Sequence, residues 1–197
     1  MDALPKEPRF FVELGAYNGV DQNNFLILEQ AGWRALLIEP SPAHFAQCLR
    51  DLPAALVEHA ACVGAEYKGD TINLADVGLM SLTARAVSDQ DTINAHLAAG
   101  EKHLGRRRQL LEVTARQLLQ ILKKHKVAAV DLLILDVEGA EWDVLAGLDF
   151  AHHAPRFLVV EEQDATIANF LAARGYGGPQ ILAKYTNRRD SLYQLAD

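Results

Sequence analysis

The sequence predicts an α/β fold with a mostly parallel β-sheet. Short apolar runs of strand length alternate with segments in which apolar residues recur at helical spacing, which is the order that a parallel sheet with connecting helices requires. The chain has 197 residues and no internal repeat, a length typical of one domain. We therefore expect a single domain over residues 1–197, with a substrate-binding or lid insertion at about residues 76–112.

Composition and charge exclude several classes of protein. Half of the residues are apolar and 23% are charged, so the chain can bury a core, and the formal net charge of −7 argues against a nucleic-acid or anionic-membrane partner. No apolar run reaches the length of a membrane span, and the first residues do not resemble a signal peptide. Two cysteines cannot form a disulfide framework. These observations predict a cytoplasmic protein.

Three strands and two helices are predicted before residue 63. The strands are residues 9–14, 35–39 and 54–62. Residues 20–31 have the pattern of a helix, and Gly32 is placed to end it. Ser41 and Pro42 open the second helix, because serine is a good N-cap and proline suits the first helical position.

The middle of the chain has a different pattern. Residues 68–75 alternate in polarity, which indicates an antiparallel excursion, and residues 88–99 are typical of a short helix. Residues 100–109 are polar and arginine-rich, as expected of a loop or lid. Thr114 and Gln117 have the spacing of a capping box, which predicts a helix that continues to about residue 126.

Regular alternation of strands and helices returns in the last third. The predicted strands are residues 131–136, 156–161, 180–185 and 191–195, and the predicted helices are residues 139–147 and 165–174. Ala140, Val144 and Leu148 are four residues apart and mark a buried helix face. The last two strands are joined by a short polar turn, so we expect a hairpin that makes the sheet mixed.

A glycine-containing turn follows the first strand, where an open α/β sheet binds ligands. The segment ELGAYNG places Gly15 and Gly19 between strand and helix, but Tyr17 replaces the second glycine of a dinucleotide-binding fingerprint. Glu13, at the strand end, would repel a diphosphate and suits a ligand with a cationic part. A simple structural turn is the alternative interpretation.

A second acidic residue indicates that the ligand contains a nucleoside. Glu39 ends the second strand, 24 residues after Gly15, where a carboxylate can accept hydrogen bonds from both ribose hydroxyls. Together with Glu13, this arrangement fits S-adenosylmethionine, which combines adenosine, a sulfonium and an amino-acid tail.

Further carboxylates end two later strands on the same sheet edge. Asp136 ends the strand of residues 131–136, and Glu161 and Glu162 end the next one. Such a cluster can hold a divalent cation, act as a base or bind polar groups of a substrate. Glu138 and Glu141 lie near a helix start, where the helix dipole favours acidic residues, and for Glu141 we prefer this structural interpretation.

Four segments together resemble the FkbM-type S-adenosylmethionine-dependent methyltransferases. They are ELGAYNG, LLIEPSP, DLLILDVEGAEWDVLAGL and FLVVEE, and the resemblance extends over nearly the whole chain. It implies a Rossmann-like class I methyltransferase fold: a seven-stranded sheet with an antiparallel last strand and helices on both faces. The cofactor-binding residues it implies are Glu13, Gly15, Ala16, Asn18, Gly19, Glu39, Pro40, Ser41, Ala61 and Asp136.

The resemblance also implies a reaction site. It places Asp136 and Glu138 beside the transferred methyl group, and we expect O-methylation of a hydroxyl on a small sugar-like or polyketide-like metabolite. Asp136 is the first candidate for a base or metal ligand, and His103, in the expected lid, is a second candidate base, although a loop histidine is more often simply solvated. The sequence departs from the family at Glu13, where aspartate is usual, and at residues 114–117, which lack an acidic residue.

Two alternative functions remain open at the level of sequence. One is a nicotinamide-dependent oxidoreductase on a similar sheet, which Glu13 and Tyr17 disfavour. The other is a non-catalytic cofactor-binding or interaction module that keeps the fold. The expected partner is a small-molecule acceptor, a homodimer is possible, and a divalent cation is compatible with the carboxylates.

Overall fold

The computed structural model describes residues 9–19, 25–77, 81–83 and 109–196, together with residues 98, 101, 102, 105 and 107. Its strands are β1 (Phe10–Leu14), β2 (Arg34–Ile38), β3 (Leu56–Glu58), β4 (Ala61–Cys62), β5 (Thr71–Asp76), β6 (Leu82–Thr83), β7 (Gln109–Arg116), β8 (Leu132–Leu135), β9 (Phe157–Glu162), β10 (Tyr176–Lys184) and β11 (Arg189–Leu195). Its helices are α1 (Phe25–Gln30), α2 (Pro42–Asp51), α3 (Leu118–Lys124), α4 (Glu141–Ala146), α5 (Phe150–His153) and α6 (Thr166–Ala172).

Seven strands form the main sheet in the order β10-β11-β9-β8-β1-β2-β3. The strands β9, β8, β1, β2 and β3 are parallel, and β11 runs antiparallel to both β9 and β10. β1 lies between β2 and β8, so the order in which successive strands are added to the sheet reverses at β1. This reversal opens a crevice at the carboxyl ends of these strands. The predicted mixed, mostly parallel seven-stranded sheet is confirmed.

Apolar residues cover both faces of the main sheet. In β1, Val12 belongs to the cluster that contains α3, α4 and α6 side chains, whereas Phe11 belongs to a second cluster with Leu28 of α1. Neighbouring residues of a strand point to opposite faces, so these two clusters place helices on both sides of the sheet. The two cysteines, Cys48 and Cys62, are buried and free.

A smaller sheet with the strand order β4-β7-β5-β6 lies beside the main one. The antiparallel excursion predicted at residues 68–75 is confirmed by β5, which pairs antiparallel with β6 and β7. The single strand predicted at residues 54–62 is instead two strands, because β3 pairs with β2 in the main sheet and β4 pairs with β7 in the small one. The chain passes from one sheet to the other at His59 and Ala60.

The helix start predicted at Thr114 is wrong. Thr114 lies in β7 opposite Thr71, and α3 begins only at Leu118. The capping box is formed by Gln117 and Gln120, whose side chains each accept a hydrogen bond from the other residue's backbone N–H. The period-two burial of residues 111–115 places them in a strand, because this alternation buries Val113 and Ala115 in the small sheet.

Several other predictions fall partly or wholly outside the described residues. These are the start of the helix over residues 20–31, most of the helix over residues 88–99 and most of the loop over residues 100–109. Within them, residues 98, 101 and 102 are helical. The single-domain boundary and the substrate or lid role of residues 76–112 stay predictions.

Candidate functional site

A crevice lies at the carboxyl ends of β1, β2 and β8. Together with the space at its open mouth, it has a volume of about 670 Å³. One wall is apolar and includes Ile38, Ala60, Ala61 and Leu74. The remaining walls carry Gly15, Tyr17, Glu39, Pro40, Ser81, Asp136 and Glu138 among others.

The turn after β1 forms the floor of the crevice. Gly15 has φ +82°, in the left-handed region that favours glycine, and its N–H donates to the carbonyl of Ile38 over 3.1 Å. Tyr17 also has a positive φ, and its ring packs against that of His44 with centroids 4.2 Å apart. The turn is thus held against β2 and α2.

Glu39 stands at the end of β2 with both carboxylate oxygens held by backbone donors. The N–H of Tyr17 donates to Oε2 and the N–H of Ser41 donates to Oε1, each over 2.8 Å. Glu39 is only 5% exposed but lines the crevice. A carboxylate offers about four acceptor positions, so two donors leave acceptor capacity for a ligand.

Ser41 connects this carboxylate to the small sheet. It occupies the N-cap position of α2, as predicted, but its hydroxyl makes no capping bond and donates instead to Asp76 at the end of β5 over 2.6 Å. The hydroxyl of Ser81, in the crevice wall, donates to the other oxygen of Asp76 over 3.2 Å and accepts the N–H of Val77.

The loop between β8 and α4 carries the acidic half of the crevice. The N–H of Asp136 donates to the carbonyl of Leu14, which continues the pairing of β8 with β1. Glu138 has a positive φ, an uncommon conformation for a residue other than glycine. The Glu141 carboxylate folds back to accept the N–H groups of Val137 and Gly139, each over 3.0 Å. The structural interpretation of Glu141 is thereby supported.

Electrostatics at this end of the crevice strongly disfavour full ionisation. The Asp136 side chain is exposed where it opens onto the crevice, although many protein atoms surround it. Burial, followed by the charges of Glu161 and Glu138, raises the pKa of Asp136 to about 8. Burial and the charge of Glu138 also raise the pKa of Glu161, to about 7, although Arg188 opposes this. Burial raises the pKa of Glu141 as well.

Arg188, in the turn between β10 and β11, bridges two of these carboxylates. Its Nη1 donates to Glu161 over 2.6 Å and also to Glu138. Burial alone would lower the pKa of Arg188, but the two ion pairs raise it, so the guanidinium stays charged. In the same turn, the Tyr185 hydroxyl donates to Asp190 over 3.0 Å. The closing hairpin therefore contacts the acidic end of the crevice through Arg188.

The structure brings together most of the site residues named from the sequence. Those that line the crevice are Gly15, Glu39, Pro40, Ala61, Asp136 and Glu138. Those that lie in the adjoining strand end or turns are Glu13, Ala16, Asn18, Gly19 and Ser41. Glu161 is tied to the crevice through Arg188, whereas Glu162 accepts from Ser191 and Tyr193 within the sheet. His103 lies outside the described residues. The catalytic and cofactor-binding roles of all these residues stay predictions.

Sequence reasoning missed Arg188, Asp76 and Ser81. Arg188 lies in a polar turn and is separated from Glu138 by 50 residues. Asp76 and Ser81 lie at the edge of the expected insertion, so no motif marks them. For Asp76, the one available signal was its position at the end of an alternating strand.

A model of the methyltransferase FkbM domain matches residues 13–177. The match covers the crevice, the end of β1 and the whole of β2, β3, β8 and β9, and it stops at the start of β10. The chain belongs to the FkbM methyltransferase family. The resemblance inferred from the sequence motifs is thereby confirmed.

Solved structures of methyltransferases share this FkbM domain's fold. An FkbM methyltransferase from Methylobacillus flagellatus KT matches with a TM-score of 0.59 and 15% identity, over 95% of this chain and 43% of that one. The human methyltransferase 10 domain containing protein matches with a TM-score of 0.54 and 11% identity, over 99% and 75%. The N-terminal domain of human METTL16, solved in complex with SAH, matches with a TM-score of 0.51 and 11% identity, over 98% and 64%.

These likenesses support a class I methyltransferase fold, in agreement with the family. The chain spans less than half of the length of the M. flagellatus protein. A comparison with curated protein sequences gave no match. Among the described residues of the FkbM domain, no helix is long and apolar enough to cross a membrane.

Proposed function

We propose that this FkbM domain transfers a methyl group from S-adenosylmethionine to a hydroxyl of a small sugar-like or polyketide-like metabolite. One observation carries the cofactor part of the proposal. The Glu39 carboxylate is fixed by the N–H groups of Tyr17 and Ser41 at the edge of the crevice, and it retains acceptor capacity for ribose hydroxyls. Family membership supports the same cofactor.

The residues of the crevice fit the parts of this cofactor. The apolar wall of Ala60, Ala61 and Leu74 suits an adenine ring. Glu39 suits the ribose, and the backbone of the turn at Gly15 can be approached closely because glycine lacks a Cβ. The acidic end of the crevice suits a sulfonium, because the carboxylate of Glu138 and the ionised form of Asp136 attract a positive charge strongly where water is partly excluded. A diphosphate would be repelled there, which disfavours a nicotinamide dinucleotide.

The chemistry assigns Asp136 the role of a base. S-adenosylmethionine, when bound, supplies a methyl group that is already electrophilic, so the protein has to position the acceptor and remove its proton. In its ionised form, the Asp136 carboxylate can accept the proton of an acceptor hydroxyl. Glu138, held by Arg188, is placed to orient the acceptor by accepting a further hydrogen bond.

A divalent cation is the alternative way to activate the acceptor. Carboxylate oxygens of Asp136, Glu141 and Glu161 lie within 4.8 Å of one another. Acidic clusters of this kind also occur without a metal, and Glu141 is engaged by two backbone N–H groups. Turnover after dialysis against EDTA, with and without added Mg²⁺, decides between the two: full activity without metal supports Asp136 as a base.

Calorimetry with the full chain tests the cofactor. We expect S-adenosylhomocysteine to bind and NADH to give no heat of binding. Binding of NADH without a response to S-adenosylhomocysteine would refute the proposal and favour the oxidoreductase alternative. Binding of S-adenosylhomocysteine by a chain that turns over no acceptor would favour the non-catalytic module.

Transfer of label from methyl-labelled S-adenosylmethionine tests the acceptor. Panels of sugars, polyketide-like alcohols and RNA oligonucleotides are incubated with the protein, and label in the first two panels alone is the expected result. The net charge of −7 supports this preference, because an anionic nucleic acid would be repelled. Labelled RNA would refute the small-molecule part of the proposal and leave the cofactor part intact.

A further inference from the structure

A buried series of hydrogen bonds runs from the cofactor carboxylate to the small sheet. Glu39 accepts the N–H of Ser41, and the Ser41 hydroxyl donates to Asp76 at the end of β5. Glu39, Ser41 and Asp76 are 5%, 1% and 7% exposed, so water does not compete strongly for these bonds. We propose that Asp76 is a positioning residue for the cofactor, which orients the Glu39 carboxylate through Ser41. The inference rests on the proposed cofactor.

The position of Ser41 explains why the small sheet controls Glu39. An N-cap serine ordinarily uses its hydroxyl to satisfy an N–H of its own helix. In this chain the hydroxyl makes no capping bond and is donated to Asp76 over 2.6 Å. The orientation of the Ser41 backbone N–H, and therefore of the Glu39 oxygen that accepts it, is set by a contact with the other sheet. The structure thus assigns Ser41 an indirect part in cofactor binding.

The Asp76 carboxylate also holds the crevice wall. The second oxygen of Asp76 accepts the hydroxyl of Ser81, which lines the crevice together with Leu74 of β5. Asp76 therefore anchors two hydroxyls, one behind Glu39 and one on the wall beside it. Loss of the anchor behind Glu39 disturbs the placement of the ribose rather than the affinity for the adenine or the amino-acid tail.

This selectivity distinguishes positioning from a purely structural link between the sheets. The probes are S-adenosylhomocysteine and its 2′-deoxy analogue, whose affinities are measured by calorimetry on the full chain. We expect the wild type to prefer the ribose form by about tenfold, the usual effect of one hydrogen bond to a charged group. In Asp76→Asn and in Ser41→Ala, the preference falls toward parity while the 2′-deoxy analogue binds as it does to the wild type.

Two further proteins complete the experiment. The double variant Ser41→Ala/Asp76→Asn is expected to lose no more of the preference than either single variant, because both act on one contact. Asp70→Asn, at an exposed position just before β5, is the matched control and is expected to keep the full preference. Ser41→Ala removes only a hydroxyl, so it keeps the experiment decisive if Asp76→Asn does not fold.

The outcomes separate this inference from the proposed function. An unchanged preference in both single variants overturns the positioning role of Asp76 and leaves the cofactor assignment standing. A uniform loss of affinity for both probes also overturns it, since a structural link would act in that way. A wild type that does not bind S-adenosylhomocysteine at all overturns the proposed function and the inference with it.

Discussion

A Cβ atom at Gly15 would lie 1.9 Å from the carbonyl oxygen of Asp136. The turn after β1 and the turn after β8 therefore touch through their backbones, because these two strands are neighbours in the sheet. This contact therefore joins the part of the crevice that is proposed to bind the ribose to the acidic part at Asp136. The glycine is required at this point by the approach of another backbone as well as by its own conformation.

Gly15→Ala is expected to abolish binding of S-adenosylhomocysteine and to lower the melting temperature. The side chain would overlap the Asp136 carbonyl, and the left-handed backbone adds about 1–2 kcal/mol. Gly32→Ala is the matched control, since Gly32 has nearly the same φ, +83°, with no atom near its Cβ position. Calorimetry and thermal unfolding of both variants check the prediction, and equal effects would contradict it.

Glu39→Gln is expected to weaken binding of S-adenosylhomocysteine by about 10- to 100-fold, the range for charged hydrogen bonds. The amide keeps one oxygen but turns an NH₂ group toward the N–H of either Tyr17 or Ser41. Glu66→Gln, at an exposed position, is the control and should bind as the wild type does. An affinity unchanged by Glu39→Gln, measured by calorimetry, would remove Glu39 from the cofactor site.

The main sheet could be predicted from the sequence because its strands are nearly continuous apolar runs. Residues 10–14 and 132–135 are buried on both faces, and such runs are recognisable without knowledge of their partners. The small sheet was only half predicted. Its strand β7 ends in a polar stretch whose Thr114 and Gln117 imitate a capping box, and only the pairing of Thr114 with Thr71 decides in favour of a strand.

The residues of the candidate site also fall into two groups, those that could be predicted from the sequence and those that could not. Gly15 directly follows one predicted strand, and Glu39 and Asp136 end two others, so the rule that parallel strands end at one edge brings them together. Arg188 and Asp76 could not be found by that rule. Arg188 reaches Glu138 from a turn of the closing hairpin, and Asp76 reaches Ser41 from another sheet. Both contacts depend on tertiary packing over long separations in sequence.

Activity is expected to rise with pH through the titration of Asp136. Its pKa is raised to about 8, so at pH 7 the carboxyl is mostly protonated and cannot accept a proton from the acceptor. The ratio kcat/KM should therefore fall as the pH drops below about 8 and level off above it. In Asp136→Asn the activity should be at least about 100-fold lower, the usual contribution of a general base. A flat pH profile in the wild type would contradict this role.

The same pKa shift means that Asp136 destabilises the folded protein at alkaline pH. The native carboxyl keeps a proton that the unfolded chain releases between the usual pKa of 3.8 and about 8, so the free energy of unfolding falls as the pH rises over that range. Asp136→Asn removes this loss and is expected to be more stable than the wild type at pH 9, with a smaller difference at pH 4. Urea unfolding at both pH values measures it. A variant less stable at pH 9 would show that Asp136 has stabilising partners.

Arg188→Gln is expected to raise the pKa of Glu161 above about 7, because it removes the cation that favours ionisation of this carboxyl. Glu161 then carries less negative charge near neutral pH. Because the charge of Glu161 acts on the pKa of Asp136, the pH midpoint of kcat/KM is expected to shift from that of the wild type. Arg189→Gln is the matched control, since the neighbouring arginine pairs with Glu162 instead. Carbon-13 NMR of the glutamate carboxyls follows the titration directly. A Glu161 titration that moves equally in both variants would show that Arg188 acts only through the fold, whereas recovery in Arg188→Lys would show that the charge itself is what the crevice requires.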